Sequence, residues 1–309
     1  MSFSTDIKTE LAHDLPHSSC CASAELAGFI RACGFISLAG KKGVGLRMET
    51  EHAAVARHIK TLTRQSLGID LSLMVGDAAI GRGKHLYALV LTPGAKAHRL
   101  LSITGVLKES DGKYSMSAGF PQTLFRRKCC RKSCLKGLFL GAGTMCDPEK
   151  AYDLELVLSN EQNASAAKRI LNSFVDIQAK SRVRRGSHVV YLNDSEQIKD
   201  VLNIMGAHAQ LLKYESSRVI KEVRNKTNRI NNCDSANFYR TQSAADKQLE
   251  VINRLKDSGE LDTLPDKLID TALLRLEHPD ATLAELGALH EPKINKSAVA
   301  ARMKKIMSS

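Results

Sequence analysis

The sequence predicts an α+β protein whose first two thirds are a duplication, followed by a helical connector and a small all-α domain. Residues 20–34 read CCASAELAGFIRACG and residues 129–143 read CCRKSCLKGLFLGAG, so one pattern recurs 109 residues later. A fainter echo follows each copy, as RGKH at 82–85 and RGSH at 185–188. A period of this length is too long for a stacked repeat array and fits two halves of one domain.

Each half begins with the repeated motif, which predicts a helix carrying small residues on one face. Gly28 and Gly137 occupy equivalent positions in the two copies. Because glycine has no side chain, another backbone can come close to it. We therefore expect the two motif helices to meet at these glycines.

Residue spacing predicts the remaining elements of the duplicated region. Apolar residues three and four apart indicate helices, and alternation over four to eight residues indicates strands. Each half then contains a helix, a strand, a helix and a hairpin with a basic glycine turn. The predicted elements are 24–34, 44–49, 52–67, 69–75 and 85–91 in the first half, and 133–141, 152–158, 164–173, 175–179 and 188–192 in the second.

The start of the chain predicts a short amphipathic helix. Ser4 or Thr5 is the expected cap, with Phe3, Ile7 and Leu11 on one face. No apolar run has the length of a membrane span, and this segment carries no signal-peptide h-region. We expect a cytoplasmic protein that makes no membrane contact.

The net charge of +12 and the pI of about 9.3 predict a polyanionic partner. Residues 1–212 contain 28 Lys and Arg against 19 Asp and Glu, whereas the rest contains 17 against 14. The excess gathers in four clusters, at 41–42, 82–84, 126–132 and 180–185. One such cluster is typical of a solvated loop, but two on matching hairpins favour a shared basic surface.

The eight cysteines predict neither a metal site nor a cofactor. Cys20-Cys21 and Cys129-Cys130 are adjacent pairs without CxxC spacing, and no histidine cluster accompanies them. A disulfide is also not expected in a cytosolic chain. Reduced, mostly buried thiols are the expected state.

The segment LAGFIRACG at 26–34 resembles the nine-residue signature of LAGLIDADG homing endonucleases, and LKGLFLGAG at 135–143 is a more divergent copy. The resemblance implies two pseudo-twofold αββαββ halves with the motif helices at the centre and a sheet saddle over the DNA major groove. On such a saddle the basic hairpins would touch phosphates. The candidate phosphate contacts are Arg82, Lys84, Arg182, Arg184 and Arg185.

The same resemblance predicts the loss of nuclease activity. Active members have a carboxylate at the eighth motif position of each half, where paired acids hold the metals that activate water. Here that position is Cys33 in the first copy and Ala142 in the second, while the sixth position offers only Arg31 and Leu140. A residual nuclease is the alternative, and it would need other acids. The nearby acids are Asp147, Glu149 and Asp153.

The region after the duplication predicts a helical connector. Residues 212–231 form a polar helical pattern dense in Lys and Arg. This pattern predicts either a charged helix exposed to solvent or a helix that contacts phosphates. Turn-forming residues at 231–241 predict an interruption before a second amphipathic run at 245–256. Asp257-Ser258-Gly259 is expected to end that run.

The last fifty residues predict a helix-turn-helix. A helix is expected over 264–278 with Pro265 in its first turn, then one over 283–290 capped by Thr282, then one over 296–306 capped by Asn295 or Ser297. The last helix would enter the major groove by its N-terminus. The candidate DNA-contacting residues are Lys296, Ser297, Arg302, Lys304 and Lys305. The alternative is a structural or protein-docking bundle.

The combination resembles the WhiA family of bacterial regulators. The stretches on which this resemblance rests are SFSTDIKTELA, both CC-plus-motif segments, AGTMCDPEKAYDLEL, NNCDSAN, LPDKLIDTALLRLEHPDATLAELG and KSAVAARMKKI. The implied boundaries are 1–207, with halves of about 1–110 and 111–207, then 208–260 and 261–309.

This resemblance implies a sequence-specific DNA-binding transcription regulator of cell division, chromosome segregation and, where it occurs, sporulation, without nuclease activity. Its expected partners are double-stranded DNA on the nucleoid and a further transcription regulator or cell-division protein. The rival interpretations are a residual nuclease and a protein-interaction adaptor whose DNA binding is incidental.

Overall fold

The computed structural model describes residues 2–39, 43–77, 85–110, 113–117 and 119–309. The chain divides into two compact units, Met1–Lys221 and Glu222–Ser309. Arg82 and Lys84, two of the predicted phosphate contacts, lie outside the described residues.

The first unit contains two similar halves and their connections. The first half comprises α1 (Phe3–Leu11), α2 (Ser19–Cys33), β1 (Gly34–Leu38), β2 (Val44–Thr50), α3 (Ala53–Leu67), β3 (Ser72–Asp77) and β4 (His85–Leu91). The linking segment adds α4 (Ala95–Ile103), β5 (Leu107–Ser110), β6 (Lys113–Met116) and α5 (Gln122–Phe125). The second half comprises α6 (Lys128–Ala142), β7 (Gly143–Met145), β8 (Leu154–Leu158), α7 (Glu161–Leu171), β9 (Lys180–Arg184), β10 (Ser187–Leu192) and α8 (Ser195–Met205).

The two halves have the same antiparallel sheet topology. The strand order is β1-β2-β4-β3 in one sheet and β7-β8-β10-β9 in the other. Each half therefore has the αββαββ order, and the predicted fold class is confirmed. Helix α1 joins the second half, since the Met145 amide donates to Ser4 Oγ at 3.0 Å. The cap of α1 is Ser2 and not Ser4 or Thr5, because Ser2 Oγ accepts from the Thr5 amide.

Four strands were missed and two were placed too early. Two of the missed strands, β5 and β6, belong to the linking segment, where no strand was predicted. β1 and β7 start directly at Gly34 and Gly143, where the motif helices end. β3 and β9 begin later than predicted because the buried apolar residues Ile69, Leu71 and Ile177 belong to the preceding loops. The strands themselves are exposed sheet edges, so they lack the pattern of a half-buried strand.

The motif helices α2 and α6 touch backbone to backbone. A Cβ on Gly28 would overlap the Cys134 carbonyl oxygen and lie 2.9 Å from the Leu138 nitrogen. A Cβ on Gly137 would overlap the Glu25 carbonyl oxygen and lie 3.0 Å from the Phe29 nitrogen. The contact is reciprocal, as expected for a pseudo-twofold pair, and the predicted meeting of the halves at these glycines is confirmed.

Helix α9 (His208–Asp257) runs without interruption, so the turn predicted at 231–241 was wrong. The segment 208–257 contains no proline or glycine, and its Asn, Asp and Ser residues are weak helix formers that do not break a helix. The helix ends as predicted at Ser258-Gly259, where Gly259 has φ +76°.

The second unit is a bundle around the end of α9. It contains α10 (Asp266–Glu277), α11 (Leu283–Leu289) and α12 (Lys296–Ile306). Val299, Met303 and Ile306 of α12 are buried, as their spacing predicts. They share one core with Ile252, Leu255, Leu261, Leu268, Ala272 and Leu286.

The glycine contact yields a stability prediction. Gly137→Ala should lower the free energy of unfolding by about 1–3 kcal/mol, because the added methyl group must push α2 and α6 apart. Gly76→Ala in β3 is the matched control, since its Cβ would meet nothing within 4 Å. Urea denaturation of the full chain followed by circular dichroism measures both. Equal effects of the two substitutions would contradict the close contact.

Candidate nucleic-acid interface

The eighth residues of the two motifs, Cys33 and Ala142, lie where α2 and α6 end. The Cys33 thiol donates to the Phe29 carbonyl oxygen at 3.4 Å, and burial raises the pKa of Cys33 to about 12. The thiol is therefore protonated at neutral pH, and alanine offers no ligand atom. Neither position can replace a metal-binding carboxylate.

A buried lysine lies near these positions. Lys8 of α1 is 7% exposed, and burial lowers its pKa to about 8, against the opposing influence of Cys33 and Glu51. A cationic ammonium group close to Cys33 opposes the binding of a divalent cation there. Lys8 was not recognised from sequence, because it belongs to a helix far from the motif in the chain.

The acids that follow α6 do not form a carboxylate site among the described residues. Asp147 Oδ1 accepts from the Glu149 amide in a turn, while Asp153 lies near Glu155 and two arginines. Within the described residues, three potential ligand groups lie close enough together to hold a metal only at Cys20, Cys21 and Cys130.

Arg31, the sixth residue of the first motif, is buried and has a structural role. Its guanidinium group is buried and donates to the carbonyl oxygens of Thr104, Gly105 and Gly119 at 2.8–3.1 Å. It also lies over the Phe120 ring, 4.6 Å from the centroid. The side chain thus fixes the linking segment onto α2, and burial lowers its pKa to about 10.

The second sheet presents basic residues on the face away from the helices. Lys180, Arg182 and Arg184 alternate along β9, and Arg185 follows in the turn with φ +50°. We call these four residues the basic sheet face. Arg182 and Arg184 are about half exposed and both bind the buried carboxylate of Glu155, at 2.5 and 2.7 Å.

The Glu155 carboxylate orders this face and reduces its charge. It fixes two guanidinium groups at once, and Arg182 also lies 4.6 Å from the centre of the Tyr191 ring. Since two carboxylates, Glu155 and the nearby Asp153, oppose four cations, the face keeps a positive balance. Each guanidinium group has further N–H donors for phosphate oxygens. The sequence did not reveal Glu155 as their partner, because it lies on β8, beyond β10.

The described part of the first sheet has a different outer face. Arg47 is paired with Glu49 at 2.6 Å, while Phe35 and Met74 are 61% and 56% exposed. This surface is apolar with a neutralised arginine. The two sheet faces are therefore not equivalent in charge over the described residues.

Helices α11 and α12 are fixed by caps and by one glycine. Thr282 and Glu285 form a capping box, and Asn295 Oδ1 accepts from the Ala298 amide at 2.8 Å. A Cβ on Gly287 would overlap the Ile294 carbonyl oxygen, so only glycine lets the turn pack on α11. The predicted caps Thr282 and Asn295 are confirmed.

Four of the five predicted contact residues on α12 are exposed. Lys296 and Ser297 stand at its N-terminal end, and Lys304 and Lys305 near its C-terminal end. Arg302 is partly buried, and its Nη1 donates to the Lys267 carbonyl oxygen and to Thr271 Oγ1, both at 3.3 Å. This arginine therefore also holds α12 against α10.

Beneath this contact lies a small polar network. His290 Nε2 lies 3.2 Å from Thr271 Oγ1, and burial together with Arg302 lowers the pKa of His290. Arg275, which is 2% exposed, donates from Nη1 to the carbonyl oxygens of Pro279 and Ala281. These contacts fix the connections of the bundle from inside and leave the lysines of α12 in solvent.

No helix among the described residues is both long and apolar enough to cross a bilayer.

Three family models match consecutive parts of the chain. The WhiA N-terminal LAGLIDADG-like domain matches residues 19–107, the WhiA LAGLIDADG-like domain matches 131–224, and the WhiA C-terminal HTH domain matches 227–309. Together the three matches cover most of the sequence. The two LAGLIDADG-like matches come first along the chain and the HTH match follows.

Proteins of similar sequence align with this chain over nearly its whole length. The probable cell division protein WhiA of Alkaliphilus metalliredigens is 38% identical over 306 residues, covering 99% of this chain and 96% of that protein. The protein of the same description from Thermoanaerobacter pseudethanolicus is 40% identical over 311 residues, with the same coverage. The crystal structure of full-length WhiA from Thermotoga maritima shares the fold, with a TM-score of 0.61, 24% identity and coverage of 100% and 97%.

The buried ammonium group yields a pH prediction. Below pH 8 both folded and unfolded chains protonate Lys8, and the folded state bears the full cost of the buried charge. Between pH 8 and 10.5 the unfolded chain binds more protons, so wild-type stability gains with rising pH. Lys8→Met should therefore stabilise the protein at pH 7 by roughly 2 kcal/mol, with an advantage that shrinks towards pH 10.5.

The matched control for this prediction is Lys136→Met. Lys136 is also buried, but its ammonium group donates to the Asp14 carbonyl oxygen at 2.5 Å and lies 3.6 Å from Glu25 Oε1. Removing it should destabilise the chain at neutral pH. Urea denaturation from pH 7 to 10.5 gives the comparison. A stabilisation by Lys8→Met that stays constant over this range would refute the assignment.

Proposed function

The chain belongs to the WhiA family, and from that premise we propose that it is a sequence-specific, double-stranded-DNA-binding transcription regulator without nuclease activity. Its proposed processes are bacterial cell division, chromosome segregation and, where it occurs, sporulation. Its proposed location is the nucleoid.

The observation that carries this proposal is the exposed basic surface of α12. Lys296, Ser297, Lys304 and Lys305 are exposed, while the caps and buried network hold the helix in place. A fixed helix with free cationic side chains is suited to base edges and phosphates in the major groove. We propose that Arg302 reaches DNA only through guanidinium donors not used to hold α10.

The first unit is proposed to add phosphate contacts without cleavage. The basic sheet face retains excess positive charge after Glu155 is counted, and Arg82 and Lys84 remain proposed contacts of the first half. The residues at Cys33 and Ala142 support binding without hydrolysis, since neither supplies a carboxylate for metal.

We further propose the working boundaries 1–207 for the LAGLIDADG-like domain, 208–260 for the connector and 261–309 for the helix-turn-helix domain. Two modest DNA sites on one chain raise the apparent affinity through effective concentration. Separating them should therefore weaken operator binding by well over tenfold.

A protein-interaction adaptor is the second candidate, and a specific surface favours it. Val223 and Ile230 of α9 are 60% and 51% exposed on a helix that is otherwise rich in charge. Exposed apolar side chains at helical spacing are typical of a docking face for another protein. A transcription regulator or a cell-division protein is the proposed occupant, and this candidate gives DNA binding a lesser role.

A charge-reversal pair tests the principal proposal. Lys296→Glu with Lys304→Glu should reduce occupancy of chromosomal sites more than tenfold, because two cations facing DNA become anions. The equally exposed Lys256→Glu of α9 is the control and should leave occupancy nearly unchanged. Chromatin immunoprecipitation with sequencing measures both. If the double variant loses its sites yet fully complements a deletion strain, the adaptor replaces the regulator.

The basic sheet face yields a salt-dependence prediction. Each phosphate contact contributes about 0.9 to the slope of log K against log salt, so replacing Arg182, Arg184 and Arg185 with Ala should flatten it by about 2–3. Fluorescence anisotropy on one bound duplex at several salt concentrations measures the slope.

Its matched control removes the same charge from the helical side of the first unit. Arg64, Lys96 and Arg99 are exposed on α3 and α4, and their replacement with Ala should leave the slope nearly unchanged. If both triple variants give the wild-type slope, the basic sheet face does not contact DNA.

A further inference from the structure

Four cysteines from the two repeats gather where the motif helices begin. Cys20 and Cys21 lie in the first turn of α2, and Cys129 and Cys130 lie at the same positions of α6. The Sγ atoms of Cys20, Cys21 and Cys130 all lie within 4.8 Å of one another, and Cys129 Sγ lies 4.0 Å from Cys130 Sγ. We call these residues the four-cysteine cluster.

Neither cysteine pair by itself has the sequence spacing of a metal site. An adjacent pair lacks the spacing from which one segment supplies two ligands of a tetrahedral site. The pseudo-twofold packing of α2 against α6 brings the second pair from 109 residues away. The close contact of the helices at Gly28 and Gly137 makes this approach possible.

We propose that the four-cysteine cluster binds one soft divalent cation of the Zn²⁺ class, which joins the two halves of the first unit. Tetrahedral coordination with Zn–S bonds of about 2.3 Å places sulfur atoms about 3.8 Å apart. The Sγ atoms of Cys20, Cys21 and Cys130 exceed that spacing by no more than about 1 Å, and Cys129 Sγ lies 4.0 Å from Cys130 Sγ. Rotation of the exposed Cys129 side chain would bring its sulfur towards the other two. Thiolate ligands select such a cation over Mg²⁺ or Ca²⁺.

The helix ends supply the electrostatics that thiolates need. Ser18 and Arg127 precede the two helices, and neither side chain accepts a hydrogen bond from the N–H groups of the first turn. Helix N-termini stabilise negative charge, and both point to the end of the pair that holds the sulfurs. Ser18 Oγ lies 3.4 Å from Cys20 Sγ, and Arg127 Nη1 lies 4.0 Å from it.

The thiols differ in how readily they lose their protons. The hydrogen bond from Ser18 is the main cause that lowers the pKa of Cys20 to about 7, whereas burial raises the pKa of Cys21. Since only thiolates bind the cation, its binding must displace protons from these thiols. Each thiol that binds the cation releases its proton to solvent, so binding should weaken as pH falls.

The position of the cluster indicates a structural role. Cys20 and Cys33 are separated by 13 residues of one helix, about 20 Å at 1.5 Å per residue. The cation would thus lie at the far end of the helix pair from Cys33 and Ala142. It would cross-link the starts of α2 and α6 and add to the glycine contact between them.

Cobalt titration of the reduced full-length protein tests the proposal. We expect one equivalent of Co²⁺ to produce a thiolate-to-cobalt charge-transfer band with tetrahedral ligand-field bands, which Zn²⁺ then displaces. Cys20→Ser and Cys129→Ser should each weaken Co²⁺ binding at least tenfold. Cys146→Ser with Cys233→Ser is the control, since both thiols are exposed and lie outside the cluster. Absence of the band, or its persistence at full affinity in both single variants, overturns the proposal.

A measurement on the wild-type chain does not depend on the folding of variants. Alkylation with iodoacetamide followed by peptide mass spectrometry should be at least tenfold slower at Cys20 and Cys129 when Zn²⁺ is present. Cys146 and Cys233 should react at unchanged rates. Equal rates at all four sites with and without Zn²⁺ contradict the proposal. So does a disulfide between the two cysteine pairs that forms equally fast in the presence of Zn²⁺.

Discussion

The reciprocal glycine contact between α2 and α6 is the constraint on which the first unit depends. Backbone atoms of one helix occupy the space that a Cβ would need on the other, at both Gly28 and Gly137. This contact fixes the pseudo-twofold pairing of the halves. It places Cys33 and Ala142 together at one end of the pair and four thiols together at the other.

The chemistry at the ends of the motif helices is unsuited to holding a hard divalent cation. At the ends of α2 and α6 stand a protonated thiol, Cys33, and a methyl group, Ala142, and the buried Lys8 lies close to Cys33, which disfavours divalent cations. The positive charge lies elsewhere, on the basic sheet face and on α12. Both surfaces have interior contacts that hold them in place, Glu155 in one case and Arg302 in the other.

Features that depend on residues close together in the chain could be predicted from the sequence, whereas contacts between residues far apart in the chain could not. The repeated motif, the caps Thr282 and Asn295 and the buried face of α12 depend on residues near in the chain, and all were confirmed. The edge strands β3 and β9 begin later than predicted. Their preceding loops contain the buried apolar residues, while the strands themselves are exposed. The pairing of β9 arginines with Glu155 and the meeting of two cysteine pairs need the folded topology, which no single segment contains.

The measurement that tests the central claim most directly is selection of genomic DNA fragments by the full-length protein, with magnesium present and the products resolved on a denaturing gel. The account predicts enrichment of particular fragments at near-physiological salt, with every recovered strand intact. Cut strands would show that the carboxylate-free motif ends still support hydrolysis. Recovery without fragment preference would contradict sequence-specific binding and favour a protein partner as the main ligand.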